Sequence, residues 1–204
     1  MKQSLIPLIT FCLLFPFQSL KAQTKIIGEC SLLFQITNAI TGDTIGQKSV
    51  YIKGNQCKTV LETPQLKQGL FFDLQQTKAT ITKDIGASHF LQVINYPPAS
   101  VSNLISMKES LPDSSIQILG YNCKSVDLIM SDGVIYQIWY TSEISATVNT
   151  FEIVFKEVPG LVLSYRIIPL NGKSFQYRAI NIDLSPIPIS QFNINTNLYQ
   201  VIDE

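Results

Sequence analysis

Few residues of this 204-residue chain could do acid–base or nucleophilic chemistry. Its single histidine, His89, would have to be the general base of any Ser-His-Asp or Cys-His site. This histidine lies in an alternating run, Ser88-His89-Phe90-Leu91-Gln92-Val93, and no Gly-x-Ser-x-Gly nucleophile motif lies near it. We therefore interpret His89 as a structural or surface residue and predict no catalytic residues.

Other chemical motifs are also missing from the sequence. The acidic residues are scattered, so no pair of them indicates a glycosidase. There is no Gly-rich phosphate loop and no dinucleotide-binding pattern. A single histidine and the lack of a Cys-x-x-Cys spacing argue against a zinc site. The sequence therefore predicts a protein that is not an enzyme and uses neither a cofactor nor a metal.

The N-terminal segment is typical of a secretory signal peptide. It has a basic start at Lys2, a largely apolar stretch from Ser4 to Leu20, and a small residue, Ala22, before a polar chain. A membrane anchor is the alternative, but the stretch is short for a span of about 20 apolar residues and contains two prolines. We predict cleavage after Ala22, which leaves residues 23–204 as one domain exported to the periplasm or cell envelope, soluble or peripheral.

The composition of the exported part excludes one large class of partner. Without residues 1–22 the chain has 13 basic and 15 acidic residues, a formal charge of −2. Nucleic-acid-binding proteins normally present a basic patch, so we expect no nucleic-acid partner. Apolar residues make up 46% of the chain and charged residues 15%, which is enough for a large core.

Export would place the cysteines in an oxidising compartment. Cys12 leaves with the signal peptide, and Cys30, Cys57 and Cys123 remain. Three cysteines allow one disulfide and one free thiol in three pairings. We predict a Cys57–Cys123 disulfide, because Cys30 lies near the frayed start of the mature chain. The alternative is three buried, unpaired thiols.

Alternation of apolar and polar residues predicts an almost entirely β-stranded chain with hairpin turns at Gly54-Asn55, Asp132-Gly133 and Asn171-Gly172. A change of apolar face predicts a bulge near Ala179. The predicted strands are Cys30–Asn38, Lys48–Lys53, Gln56–Glu62, Leu66–Leu74, Lys78–Thr82, Ser88–Tyr96, Ser115–Leu119, Tyr121–Met130, Val134–Thr141, residues 151–156, Leu161–Pro169, Ser174–Leu184 and Leu198–Asp203.

Two further local predictions concern a turn and a helix. Pro159 and Gly160 stand between residues 151–156 and the next strand, and they suit the two central positions of a type II turn. Ser100–Lys108 has apolar residues at helical spacing after two prolines, and we predict a short helix there.

Three segments in order resemble motifs of the GLPGLI family of exported bacterial envelope proteins. They are Ile118-Leu119-Gly120-Tyr121-Asn122-Cys123-Lys124, Ile138-Trp139-Tyr140-Thr141-Ser142-Glu143-Ile144 and Val158-Pro159-Gly160-Leu161-Val162-Leu163. Ser49–Gly54 and Phe192–Asn195 also fit, so the resemblance covers most of the mature chain. Glu157, Val158 and Val162 depart from the motif that names the family, which places the chain nearer the family's relatives.

The resemblance implies an all-β fold with minor α content, similar to the lipoprotein carriers LolA and LolB. That fold is a single antiparallel sheet curved into a half-open barrel, whose concave face accepts acyl chains. The resemblance brings no catalytic residues. Its motif residues have structural roles: a bend or bulge at Gly120, followed by Tyr121 and Lys124, and a turn at Pro159-Gly160.

Two functions follow from this resemblance. The first is binding of a lipid, a lipoprotein or another apolar ligand on the concave face, with Trp139 and Phe90 as the predicted ligand-binding wall. The alternative is an interaction module with a filled barrel, which binds an outer-membrane or periplasmic protein and no small molecule. The clustered aromatic residues suit both, because core packing explains them as well as a pocket does. They are Phe71, Phe72, Phe90, Tyr136, Trp139 and Tyr140.

Overall fold

The structure, a computed structural model, describes residues 24–98, 103–109 and 115–202. The predicted signal peptide and its cleavage site lie outside these residues. Within them the chain forms β1 (Lys25–Ile27), β2 (Glu29–Asn38), β3 (Thr44–Lys53), β4 (Gln56–Glu62), β5 (Lys67–Asp73), β6 (Lys78–Ile85), β7 (Ser88–Asn95), β8 (Leu104–Glu109), β9 (Ile116–Ile118), β10 (Tyr121–Met130), β11 (Ile135–Thr141), β12 (Ile144–Ala146), β13 (Leu161–Ile168), β14 (Phe175–Asp183) and β15 (Gln200–Val201).

Thirteen of these strands form one sheet, in the order β15-β7-β6-β5-β4-β3-β2-β14-β13-β11-β10-β8, with β9 also paired to β10. All pairs in it are antiparallel except β15 with β7. In the described part of the chain the end strands β15 and β8 do not pair, so the sheet is not closed into a barrel. The all-β fold with one large, unclosed antiparallel sheet is confirmed. β1 and β12 form a separate parallel pair.

The predicted hairpins are confirmed. Gly54 and Asn55 join β3 to β4, and the φ of +58° at Gly54 is the conformation that a glycine at the first turn position provides. Asp132-Gly133 and Asn171-Gly172 likewise lie in the β10–β11 and β13–β14 connections. The bulge near Ala179 is confirmed by a register shift against β2.

The predicted helix at Ser100–Lys108 is wrong. Leu104–Glu109 is the edge strand β8, antiparallel to β10, and residues 99–102 lie outside the described part. Serine and asparagine are weak helix formers, and an unpaired strand beside the segment offers its backbone a full set of hydrogen bonds. The described helical residues are instead in three 3₁₀ helices, Ile153–Glu157, Ile189–Phe192 and Thr196–Leu198.

The predicted strand at residues 151–156 and the type II turn after it are also wrong. Ile153–Glu157 is a 3₁₀ helix, and it buries Phe155 on the same side as Phe151. Gly160 lacks the positive φ of a type II turn. A Cβ at Gly160 would instead overlap the carbonyl oxygen of Thr141, so glycine is needed there for close backbone approach.

The register of the large sheet assigns each strand residue to one of two faces. The inner face is the one that contains Phe34 and Tyr165, and the outer face is the one that contains Tyr51 and Phe71. Buried inner-face residues of the central strands are Leu32, Phe34, Val50, Ile52, Cys57, Phe72, Ala79, Ile138, Leu163 and Tyr165. The main core therefore lies on the inner face.

Candidate functional sites on the two faces

The inner face is filled by residues 147–160, the crossing segment, which connects β12 to β13. Its Phe151 lies 5.9 Å from the Phe34 ring and 5.2 Å from the Phe155 ring, centroid to centroid. Tyr165 lies 5.9 Å from Phe34 and 5.0 Å from Phe155. None of these four side chains is more than 1% exposed. The aromatic residues of this region therefore pack against one another.

An ion pair between a buried lysine and a partly exposed glutamate holds the crossing segment in place. The Lys48 ammonium contacts the Glu152 carboxylate and donates to the Tyr165 hydroxyl at 3.4 Å. That hydroxyl in turn donates to Glu152 Oε1 at 3.3 Å. Lys48 Nζ also lies 5.9 Å from the centroids of the Phe151 and Tyr165 rings, within cation–π range. Lys48 is 6% exposed, so its charge is neutralised within the core.

The tyrosines near this ion pair keep their protons. Burial raises the pKa of Tyr165 well above its ordinary value, and the Glu152 charge raises it further. Burial, followed by the same charge, raises the pKa of Tyr177 to about 12. The two rings stack with centroids 4.4 Å apart. At neutral pH this site contains neutral phenols around one compensated ion pair, which is an arrangement suited to holding structure.

The structure does not bring the two predicted wall residues together. Trp139 is half-buried on the outer face of β11, opposite Ser125 and Ser164. Phe90 is half-buried on the inner face of β7. The strands β6, β5, β4, β3, β2, β14 and β13 separate them. One pocket cannot have both as its wall in this arrangement.

The five residues predicted from the family motifs lie in turns, in a strand and after a 3₁₀ helix. They are Gly120, Tyr121, Lys124, Pro159 and Gly160. Leu119 and Gly120, with φ of +52° and +84°, form the two-residue turn between β9 and β10. Positive φ at both positions is typical of a type I′ turn, so Gly120 lies in a hairpin turn where a bend or bulge was expected. Tyr121 begins β10, and Lys124 is exposed opposite Tyr140. Pro159 and Gly160 follow the first 3₁₀ helix.

The expected Cys57–Cys123 disulfide is not formed. The described cysteines, Cys30, Cys57 and Cys123, are free and buried. Cys57 is on the inner face of β4 and Cys123 on the outer face of β10, with five strands between them. Cys30 and Cys57 flank Ile52 in one row, about 10 Å apart, beyond disulfide reach. Burial raises the pKa of Cys30 and of Cys123 to about 11, which makes both thiols unreactive.

A second candidate site lies on the outer face of β3–β6, under residues 191–199. We call this cavity, of about 380 Å³, the outer groove. Its lining is rich in hydroxyl, amide and aromatic side chains. The residues are Ser49, Tyr51, Lys58, Val60, Glu62, Lys67, Gly69, Phe71, Thr82, Asp84, Gln191, Asn193, Ile194, Asn195, Leu198 and Tyr199.

Lys58 is the central cation of the outer groove. Its ammonium donates to the Gln191 carbonyl at 2.8 Å and lies 5.8 Å from the Tyr51 centroid and 5.0 Å from the Phe71 centroid. Burial, and then the neighbouring charge of Lys67, lowers the pKa of Lys58. Among the described residues, no carboxylate forms an ion pair with this lysine.

The other charged side chains of the groove each contact a side-chain partner. Lys67 pairs with Glu62 at 2.5 Å, and Asp84 Oδ1 lies 2.9 Å from His89 Nδ1. This contact fits the interpretation of His89 as a structural or surface residue.

The floor of the groove depends on a glycine. A Cβ at Gly69 would lie 2.6 Å from the Thr82 hydroxyl and 2.8 Å from the Phe71 ring. The Phe71 ring therefore lies over Gly69, two residues away on the same strand, in space that any side chain there would occupy. Phe71 can thus face the Lys58 ammonium from below.

Residues 186–202 form the other wall and are held at several points. Lys53 Nζ donates to the Ile187 carbonyl at 2.8 Å, and the Ile187 amide donates to Glu29 Oε2 at 2.8 Å. Hydrogen bonds from Lys53 and from the Ile187 amide lower the pKa of Glu29. Further along, β15 pairs with β7.

The sequence does not predict this groove. Of its residues, only those in the segment Phe192–Asn195 were singled out, because that segment fits the family resemblance.

The chain was compared with protein families, curated proteins and solved structures. No family model and no curated protein matches the chain. The chain is similar to a solved structure entitled "Crystal structure of MucB", with a TM-score of 0.45 and 9% sequence identity. The match covers 82% of this chain and 57% of MucB, so it spans little more than half of that protein.

The described residues include neither a metal-ligand cluster nor a membrane-spanning helix. In the described ranges, no group of three or more His, Cys, Asp or Glu side chains is placed so that it could hold a metal ion. None of the helices in the same ranges has the length and apolar content needed to cross a membrane.

Proposed function

We propose that this chain is an exported, non-enzymatic binding module of the bacterial cell envelope, related to the GLPGLI proteins, and that it binds its partner through its outer surface. The family resemblance supports the envelope location and the lack of catalysis. The partner class is a periplasmic or outer-membrane protein or a component of the envelope around it.

One observation supports this function over lipid transport. The crossing segment places Phe151 and Phe155 against Phe34 and Tyr165, and all four are essentially inaccessible. A carrier needs a cavity where these rings meet. Here the space is occupied by the protein's own side chains and is closed by the Lys48–Glu152 pair. The inner face is therefore a core in this region.

The competing function is a carrier of a lipid or of a lipoprotein acyl chain. It would require the crossing segment to leave the inner face, which would expose two phenylalanines and break the Lys48–Glu152 ion pair. Exposing one such aromatic side chain costs roughly 2–3 kcal/mol, so the opened form would be scarce without a ligand.

Titration of the mature protein with a fluorescent fatty acid tests this choice. We expect no saturable binding by folded protein, and no lipid retained in native mass spectra of protein purified from the periplasm. Saturable binding would restore the carrier function. In that case Phe90→Ala and Trp139→Ala would locate the lipid, because the two residues lie on opposite faces.

Export is tested separately by N-terminal sequencing of the protein from the cell envelope. We expect the chain to begin at Gln23. An intact Met1 would contradict the proposed location.

A further inference from the structure

We propose that the outer groove is a binding site for an acidic sugar, a small polyhydroxylated molecule that bears one carboxylate. This inference rests on the proposed function, since it names the ligand of the outer surface. It is carried by the surroundings of Lys58 and by the polar lining and the size of the groove.

The surroundings of Lys58 favour an anionic group beside it. Glu62 pairs with Lys67 and Asp84 contacts His89, whereas Lys58 contacts a carbonyl oxygen and two aromatic rings and forms no ion pair with a carboxylate of the described residues. An ammonium has three donors, and the Gln191 carbonyl accepts one of them. A ligand carboxylate would complete the coordination of Lys58 and replace the hydration that partial burial removes.

The polar lining favours a ligand with many hydroxyl groups. Side-chain amides both donate and accept hydrogen bonds, as hydroxyls do, so they can pair with the hydroxyl groups of a polyol. The groups available are those of Ser49, Thr82, Gln191, Asn193, Asn195 and Tyr199. The Tyr51 and Phe71 rings flank the Lys58 ammonium, and their edges offer apolar contact to the C–H groups of a sugar that binds beside this lysine.

The groove also has a suitable size, and its side chains are held in place before a ligand binds. A cavity of about 380 Å³ is at the lower end of the range for small-molecule sites, which suits a monosaccharide or disaccharide. Lys58 is held between two rings, and Phe71 is held over Gly69. Such preorganised groups lose little freedom on binding.

Calorimetric titration with sodium glucuronate, glucose and sodium acetate tests the proposal. We expect glucuronate to bind and the other two to bind at least roughly tenfold more weakly. Glucose lacks the carboxylate, and acetate lacks the hydroxyl groups. Lys58→Met should weaken glucuronate binding roughly tenfold or more. Lys83→Met is the matched control, because Lys83 lies on the inner face of β6 and should leave binding unchanged.

Lys58→Met also removes the hydrogen bond to the Gln191 carbonyl, so weaker binding could come from a displaced groove wall. A second variant, which keeps this hydrogen bond, separates the two causes. Gly69→Ala keeps the charge but displaces the Phe71 ring, and it should also weaken glucuronate binding. Equal binding of acetate, equal binding of glucose, no binding at all, or binding unaffected by both variants would each overturn the proposal. The fatty-acid titration is independent of these outcomes, so failure here leaves the function proposed above to be judged by that titration.

Discussion

Two lysines on neighbouring strands show how differently the two faces of the sheet are used. Lys48 on β3 points to the inner face and Lys58 on β4 to the outer face, and each ammonium lies within 6 Å of two aromatic rings. Lys48 is paired with Glu152 and closed off from solvent. Lys58 has a carbonyl partner and borders a cavity.

The difference comes from the segment that covers each face. The crossing segment brings a carboxylate and two phenylalanines, so it neutralises its lysine and leaves no space. Residues 186–202 bring carbonyl groups and amide side chains, so they leave their lysine charged and a groove beside it. The same sheet thus has a structural face and a face suited to binding.

The largest effect that this comparison predicts is on stability. Phe155→Ala should lower the free energy of unfolding by about 3–5 kcal/mol, because it removes a fully buried ring from a packed cluster. Phe71→Ala, at a half-buried site on the outer face, should cost about 1 kcal/mol. Denaturant unfolding measures both, and equal losses would mean that the faces do not differ in packing.

Substitution of Lys48 should likewise lower the free energy of unfolding more than substitution of Lys58. Lys48→Met leaves the Glu152 carboxylate without its partner and should cost about 2 kcal/mol, less than the roughly 3–5 kcal/mol for a fully buried pair, because Glu152 is 36% exposed and water can solvate it. The double variant Lys48→Met with Glu152→Leu should recover most of that loss. Lys58→Met should cost less than about 1 kcal/mol. A loss for Lys58→Met as large as that for Lys48→Met would contradict the comparison.

Alkaline pH should destabilise the inner face. Burial raises the pKa of Tyr177 to about 12 and also raises that of Tyr165, so the folded state retains protons that the unfolded chain loses near pH 10. Their stabilising contribution is present below pH 10 and is lost as the pH rises, by up to about 2 kcal/mol for Tyr177. Unfolding measured against pH should show this decline, and Tyr177→Phe should reduce it. If Tyr177→Phe leaves the loss of stability at alkaline pH unchanged, Tyr177 is not its cause.

Acid should act on the outer face, with the smallest effect. The pKa of Glu29 is lowered by Lys53 and the Ile187 amide, so this contact stabilises above about pH 4 and is lost as the pH falls through the lowered value. Hydrogen exchange at the Ile187 amide should therefore speed up in acid relative to amides of β2. Glu29→Gln should remove most of that pH dependence, and protection that persists in acid would refute this role of Glu29.

Local signals in the sequence predict the strands and hairpins well, because a turn such as Gly54-Asn55 needs only its own residues. The crossing segment was misassigned because Phe151 and Phe155, four residues apart, fit both a strand and a helical turn. Neither site could be found from sequence. Lys48 and Glu152 are separated by 104 residues, and Lys58 and Gln191 by 133, so only the folded sheet brings them together.

The most direct test is amide chemical-shift mapping of the mature protein, with sodium glucuronate and a fatty acid added in turn. We predict that glucuronate shifts the amides of Tyr51, Lys58 and Phe71 and leaves those of Phe34 and Tyr165 in place, and that the fatty acid shifts neither group in a saturable way. Saturable shifts at Phe34 and Tyr165 with the fatty acid would contradict the account, because they would show that the inner face opens to bind.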